Sequence, residues 1–114
     1  MKHFMKLQKE PFEMIKLGKK IYEMRLLDEK RKGLKIGDEI EFSLYGEKSE
    51  NLTVVVEDLI QFPSFIDLYA HLSPLDIGYT EENKDSASYS DMEKYYSKEE
   101  QHKYGVVAIK IKLI

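Results

Sequence analysis

The stretch Gly18–Arg25 reads GKKIYEMR and carries Lys19, Lys20, Glu23 and Arg25 among ordinary strand-forming residues. Arginine offers a planar fork that suits a phosphate or a base edge, and lysine offers a point charge. Glutamate can hold an arginine in orientation or accept a hydrogen bond from an exocyclic amine. In a strand, alternate side chains share a face. Lys20, Tyr22 and Met24 then fall on one side and Ile21, Glu23 and Arg25 on the other. Glu23 and Arg25 become same-side neighbours, roughly 6–7 Å apart along the backbone, close enough to pair. Lys20 stands at the strand's start, where its direction is less constrained, so it is free to join them at one mouth of a barrel. The alternative is a surface ion pair on an edge strand, worth ~0–1 kcal/mol.

Those residues need elements to position them. His3–Gln8 reads as a short first strand, with His3 and Met5 on one face and Phe4 and Lys6 on the other. Pro11 opens a helix whose apolar side is Phe12, Ile15 and Leu17, and Gly18 stops it. The charged stretch follows as a second strand over about 20–26. A charged turn holds Lys30, Arg31, Lys32 and Lys35, which suit either a phosphate backbone or a solvated hairpin. EIEFSLY alternates cleanly, with Ile40, Phe42 and Leu44 inward. GEKSEN makes a turn, and LTVVVEDLIQF is a long β-branched strand.

Pro63 ends that strand, and Ser64 can cap a helix over 65–72 with Phe65, Leu68, Tyr69 and Leu72 at helical spacing. The polar segment 80–91 predicts a long loop, a candidate lid. Ser90–Glu93 and Ser97–Glu100 are spaced as capping boxes for short helices at about 91–96 and 98–103. GVVAIKIKLI closes the chain as a strand, with Val107, Ile109, Ile111 and Leu113 on one face. About five strands interrupted by three or four short helices predict an α+β domain, a small curved sheet or barrel.

Length and composition bound the function. At 114 residues one domain over 1–114 is expected. The absence of cysteine excludes disulfides and thiolate metal sites within this sequence. His3, His71 and His102 have no ligand spacing, so no metal is expected, nor any cofactor. No apolar run approaches a membrane span and the start has no signal-like block, so no membrane association and a cytoplasmic location are expected. The net charge of −3 hides an asymmetry: residues 1–35 hold 11 Lys and Arg against 5 Asp and Glu, while the remainder holds 7 against 16. A basic first third permits a local anion-binding face. Tyrosines crowd the second half: Tyr79, Tyr89, Tyr95, Tyr96 and Tyr104 suit either base stacking beside a basic cleft or packing of helices onto the barrel, and Tyr79 and Tyr89, which flank the polar loop, are the better ligand candidates.

Gly18, Lys20, Glu23 and Arg25 stand as in the signature of the ASCH domain, which this sequence resembles. That family's usual mark is a helix ending in glycine, then Lys-x-x-Glu-x-Arg entering a strand. Gly37 and Asp38 in LKIGDEIEF resemble its Gly-Asp segment, and the tail YYSKEEQHKYGVVAIKIKLI is similar to that of a bacterial branch. The resemblance implies a small PUA-like β-barrel and an RNA or nucleoside ligand, held in a cleft lined by Lys20, Glu23 and Arg25. One branch removes an acetyl group from modified cytidine with a threonine nucleophile near the motif lysine. Here Glu23 and Met24 occupy the two positions at which that threonine can be aligned. A hydrolase would need Glu23 as general base with Lys20 polarising the carbonyl. Another branch is ribonuclease-like, and the same three residues would then act as acid, base and phosphate clamp. The residues leave oligomeric state open.

Overall fold

The computed structural model describes residues 1–46 and 50–114. Five strands form one sheet in the order β1-β3-β4-β5-β2, where β1 is Lys2–Leu7, β2 Tyr22–Leu26, β3 Glu39–Leu44, β4 Asn51–Phe62 and β5 Val106–Leu113. Only the β1–β3 pair is parallel; β3–β4, β4–β5 and β5–β2 are antiparallel. The sheet curls into a half-barrel, the α+β architecture expected of a PUA-like domain. A bulge between Val56 and Asp58 in β4 adds to the curl. The turn expected over GEKSEN lies partly outside the described residues.

Helix α1 (Lys9–Lys16) buries Phe12, Met14 and Ile15. Leu17, expected on its apolar side, is exposed, because it is the C-cap residue and has left the helix's buried face. Helix α2 (Phe65–His71) packs Phe65 and Leu68, and α3 (Lys98–Tyr104) starts at the expected box: Ser97 Oγ accepts from the Glu100 amide and Glu100 Oε1 from the Ser97 amide. Ser64 stands at the N-cap of α2, but its hydroxyl donates to the Asp67 carboxylate at 2.9 Å instead of capping a backbone amide. Residues 80–91 are not one open loop. They hold a 3-10 turn at Lys84–Ser86 and the start of a longer one at Tyr89–Lys94. The Ser90–Glu93 box does not form; Ser88 caps that turn by accepting from the Ser90 amide, two residues earlier than expected.

The sheet has a core on each face. Met5, Leu7, Phe12, Ile15, Ile40, Phe42, Val54, Val56, Val107, Ile109 and Ile111 fill the inside of the curl. Met24, Leu26, Phe65, Leu68, Ile77, Val106 and Ala108 pack on the outside, beneath the helices. Strand β5 is therefore buried on both faces over Val106–Ile109, and the polar alternation begins only at Lys110. Its neighbour sets the orientation of β2: Met24 lies opposite Ala108, while Glu23 and Arg25 lie opposite Ile109 and Val107. Two charged side chains thus occupy inward positions of the half-barrel.

Candidate ligand cleft

Strand β2 begins at Tyr22, so Lys20 is not a strand residue. It belongs to the exit of α1. Gly18 takes φ +73°, its amide donates to the Ile15 carbonyl at 3.0 Å, and the Lys19 amide donates to the Met14 carbonyl at 2.9 Å. This is a Schellman end, which needs a residue that tolerates the left-handed region. The Ile21 and Tyr22 amides then both donate to the Asp76 carbonyl, at 2.9 and 3.0 Å, tying the exit to the turn before Gly78. Freed from strand parity, Lys20 turns to the Glu23 side.

There the three charges meet. Lys20 Nζ lies 2.9 Å from Glu23 Oε1, while Arg25 Nε and Nη2 lie 2.8 and 2.7 Å from Glu23 Oε2. Glu23 is 4% exposed and Lys20 8%. Burial pushes the Glu23 carboxyl up, but the two cations and their hydrogen bonds outweigh it and hold it down at about 2. Burial weakens the Arg25 charge, and Glu23 more than restores it, leaving the guanidinium above its ordinary value. Gly78, at φ +114°, makes room for the lysine: a Cβ there would stand 3.1 Å from Lys20 Cδ.

β1 and β2 are the two edges of the sheet, and no ladder joins them. Arg25 Nη2 reaches across this seam to donate to the Lys6 carbonyl at 3.1 Å. A cleft of about 570 Å³ occupies the seam. Lys20, Glu23, Met24 and Arg25 line it from one side, Lys6, Leu7, Gln8 and Pro11 from the other, and Tyr45, Met92, Lys94, Tyr95 and Tyr96 complete it. Its charged lining is Lys6, Lys20, Arg25 and Lys94 against Glu23 alone. The chain as a whole is net −3, so the cleft's sign opposes that of the molecule.

The other two expected ligand residues lie elsewhere. The Tyr79 hydroxyl donates to Asp91 Oδ2 at 2.6 Å and meets the Tyr69 hydroxyl at 2.9 Å, and Tyr79 lines a different cavity with Lys19, Glu81 and Glu82. Burial and the Asp91 hydrogen bond push its phenol well above the ordinary range. Tyr89 sits on the surface at the start of the second 3-10 turn and lines none of the cavities described here. Lys6, Tyr45 and Lys94 are cleft residues not singled out from the sequence, while Tyr95 and Tyr96, weighed there among the stacking aromatics, do line it. Arg31, weighed there as part of a solvated hairpin, is half-buried; burial and the nearby Arg25 charge lower its pKa. Asp38 is a strut: its carboxylate accepts from the Lys35 amide at 3.0 Å and pairs with His3 Nε2 at 2.8 Å. Among the described residues no group of three His, Cys, Asp or Glu is placed to hold a metal, and no helix is long and apolar enough to cross a membrane.

The ASCH domain family matches residues 5–114. The chain belongs to the ASCH domain family. The crystal structure of the hypothetical protein PH0355 superposes with a TM-score of 0.82 at 37% identity, covering 100% of both chains. The solution structure of protein PF0455 from Pyrococcus furiosus superposes at 0.70 with 34% identity, covering 100% of this chain and 98% of that one. No curated protein is significantly similar to the chain.

Proposed function

We propose that this ASCH domain, acting as a single unit over residues 1–114, binds RNA or a nucleoside-type ligand in the seam between β1 and β2. The observation that carries the reading is the stoichiometry of the inward charges: one carboxylate between two cations. A structural pair needs one cation. The second leaves the floor of the cleft with a positive excess, and a charge so far removed from water is offset best by an incoming anion or carbonyl oxygen. Arg25, its Nε and Nη2 held by Glu23 and the Lys6 carbonyl, has Nη1 left for that group, and buried Lys20 adds charge at the floor. The family's RNA-binding character and the basic lining support the same class of ligand.

The hydrolytic alternative is weaker. A carboxylate held at about 2 is a poor proton acceptor near neutrality, and the motif has no hydroxyl at the threonine slot. The test is a titration with short RNAs and with cytidine derivatives at two salt concentrations, with products followed by chromatography. Binding that weakens with salt, and a loss of tenfold or more in Arg25→Gln at unchanged fold, is the expected result. Turnover of an acylated cytidine that disappears in Lys20→Ala would favour the enzyme instead. No binding at either salt, with Glu23→Ala merely lowering the melting temperature, would reduce the motif to a structural ion-pair network.

A further inference from the structure

Tyr45 and Tyr95 are 56% and 69% exposed, yet both stand at the cleft. Their neighbour Tyr96 shows what a packed aromatic does here: its ring stacks on Phe65 with centroids 5.7 Å apart. The two exposed rings belong to different walls. Tyr45 follows β3, and its amide donates to the Leu7 carbonyl at 3.0 Å, which fixes it beside the end of β1. Tyr95 follows the second 3-10 turn, where its amide donates to the Met92 carbonyl at 3.0 Å, and Met92 packs into the outer core that β2 shares. Each wall also carries an exposed lysine, Lys94 on one side and, on the β1 side, Lys6, whose Nζ lies 6.0 Å from the Tyr45 ring centroid and must swing aside to a phosphate for a base to take its place.

We propose that Tyr45 and Tyr95 clamp one unpaired base of a single-stranded RNA over the Lys20–Glu23–Arg25 floor, while Lys6 and Lys94 take the phosphates to either side of it. The inference rests on the RNA-binding reading above and specifies the ligand. A base inside a duplex stack has no free face for a tyrosine, whereas an unstacked base presents two. A free nucleotide brings a single phosphate, which Arg25 and Lys20 alone would satisfy. The lysines on the two walls are surplus to a free nucleotide and suit a strand that enters over one wall and leaves over the other.

The test is fluorescence anisotropy with a labelled hexameric single-stranded RNA, its duplex, the hexamer with one abasic position, and cytidine monophosphate as competitor. The variants are Tyr45→Ala, Tyr95→Ala, Tyr45→Phe, Tyr95→Phe and Arg25→Gln. Both tyrosines are exposed, so the alanine variants are expected to keep the wild-type melting temperature. Each is expected to lose about 5- to 150-fold in affinity for the single strand, and the phenylalanine variants to stay within about threefold. The duplex is expected to bind at least tenfold more weakly than the strand. If the alanine variants bind normally while Arg25→Gln does not, the clamp is wrong and the RNA-binding reading survives. Duplex binding equal to that of the strand, or displacement by the free nucleotide as effective as by the hexamer, also overturns the clamp. Failure of the wild type to bind any of these ligands overturns the function itself.

Discussion

The seam cleft and the cavity beside Lys19, both next to the exit of α1, use tyrosine in opposite ways. In the seam cleft, Tyr45 and Tyr95 expose their rings, and the lining carries four cations against one carboxylate. In the cavity beside Lys19, Tyr79 is locked through its hydroxyl to Asp91 and Tyr69, and the rim carries Glu81 and Glu82. The first arrangement leaves the Tyr95 ring without a packing partner among the described residues and sets the Lys6 ammonium 6.0 Å over the Tyr45 ring, positive charge beside open aromatic surface. The second consumes the polar end of the ring inside the fold and would repel a phosphate. A tyrosine's hydrogen-bond partners, more than its nearness to a loop, separate an open ring from a strut.

The comparison breaks first at Glu23. Glu23→Ala leaves buried Lys20 and largely buried Arg25 facing each other uncompensated, and is expected to cost about 3–5 kcal/mol in denaturant unfolding. The pH dependence measures the same residue without mutation. Its folded pKa of about 2 lies below the ordinary 4.5, so the stabilisation is complete above about 4.5 and is lost as pH falls toward 2. That difference is on the order of 3 kcal/mol, read as falling unfolding free energy across the interval and absent from Glu23→Gln. A stability flat from pH 5 to pH 2 would remove the tight triad.

Gly78→Ala sharpens the contrast between positioning and packing. At φ +114° an alanine is strained, and its Cβ would press on Lys20 Cδ from 3.1 Å. A stability loss of about 1–3 kcal/mol is expected together with weakened ligand binding. Gly105→Ala is the control. It too sits at positive φ, and its Cβ would meet the Phe62 carbonyl, away from Lys20. That variant is expected to lose stability and to keep the wild-type affinity once folded.

In the second cavity, Tyr79→Phe deletes the hydroxyl shared by Asp91 and Tyr69 and is expected to lower stability by about 1–2 kcal/mol with binding unchanged. A binding defect there would erase the distinction between the two regions. The smallest effect is at Lys94→Ala, which should leave stability alone and reduce the slope of log affinity against log salt by about 1.

Much of the architecture was legible because period-two patterns are strong in β1, β3 and the end of β5. The charged motif was legible too, through its residue types and its likeness to the family. The freedom of Lys20 to join Glu23 was legible from its place between the Gly18 helix end and the strand, whereas the Asp76 carbonyl that ties that exit down was not. Two further things were hidden. The double burial of Val106–Ile109 depends on which strands flank β5, a long-range fact that local alternation does not carry. Tyr45, Tyr95 and Lys6 enter the cleft only because the sheet stops at β1 and β2 and leaves a seam. Tyr79 and Tyr89 were drawn from the polar loop, whereas it is the residues just after that segment that reach the cleft.

The most direct test is amide chemical-shift mapping of the isotope-labelled protein titrated with a short single-stranded RNA. Perturbations are expected to concentrate at residues 6–8, 20–25, 45 and 94–96, with little change at 79–82. Shifts confined to the basic turn at 30–35, leaving Glu23 and Arg25 unmoved, would contradict a ligand seated in the seam.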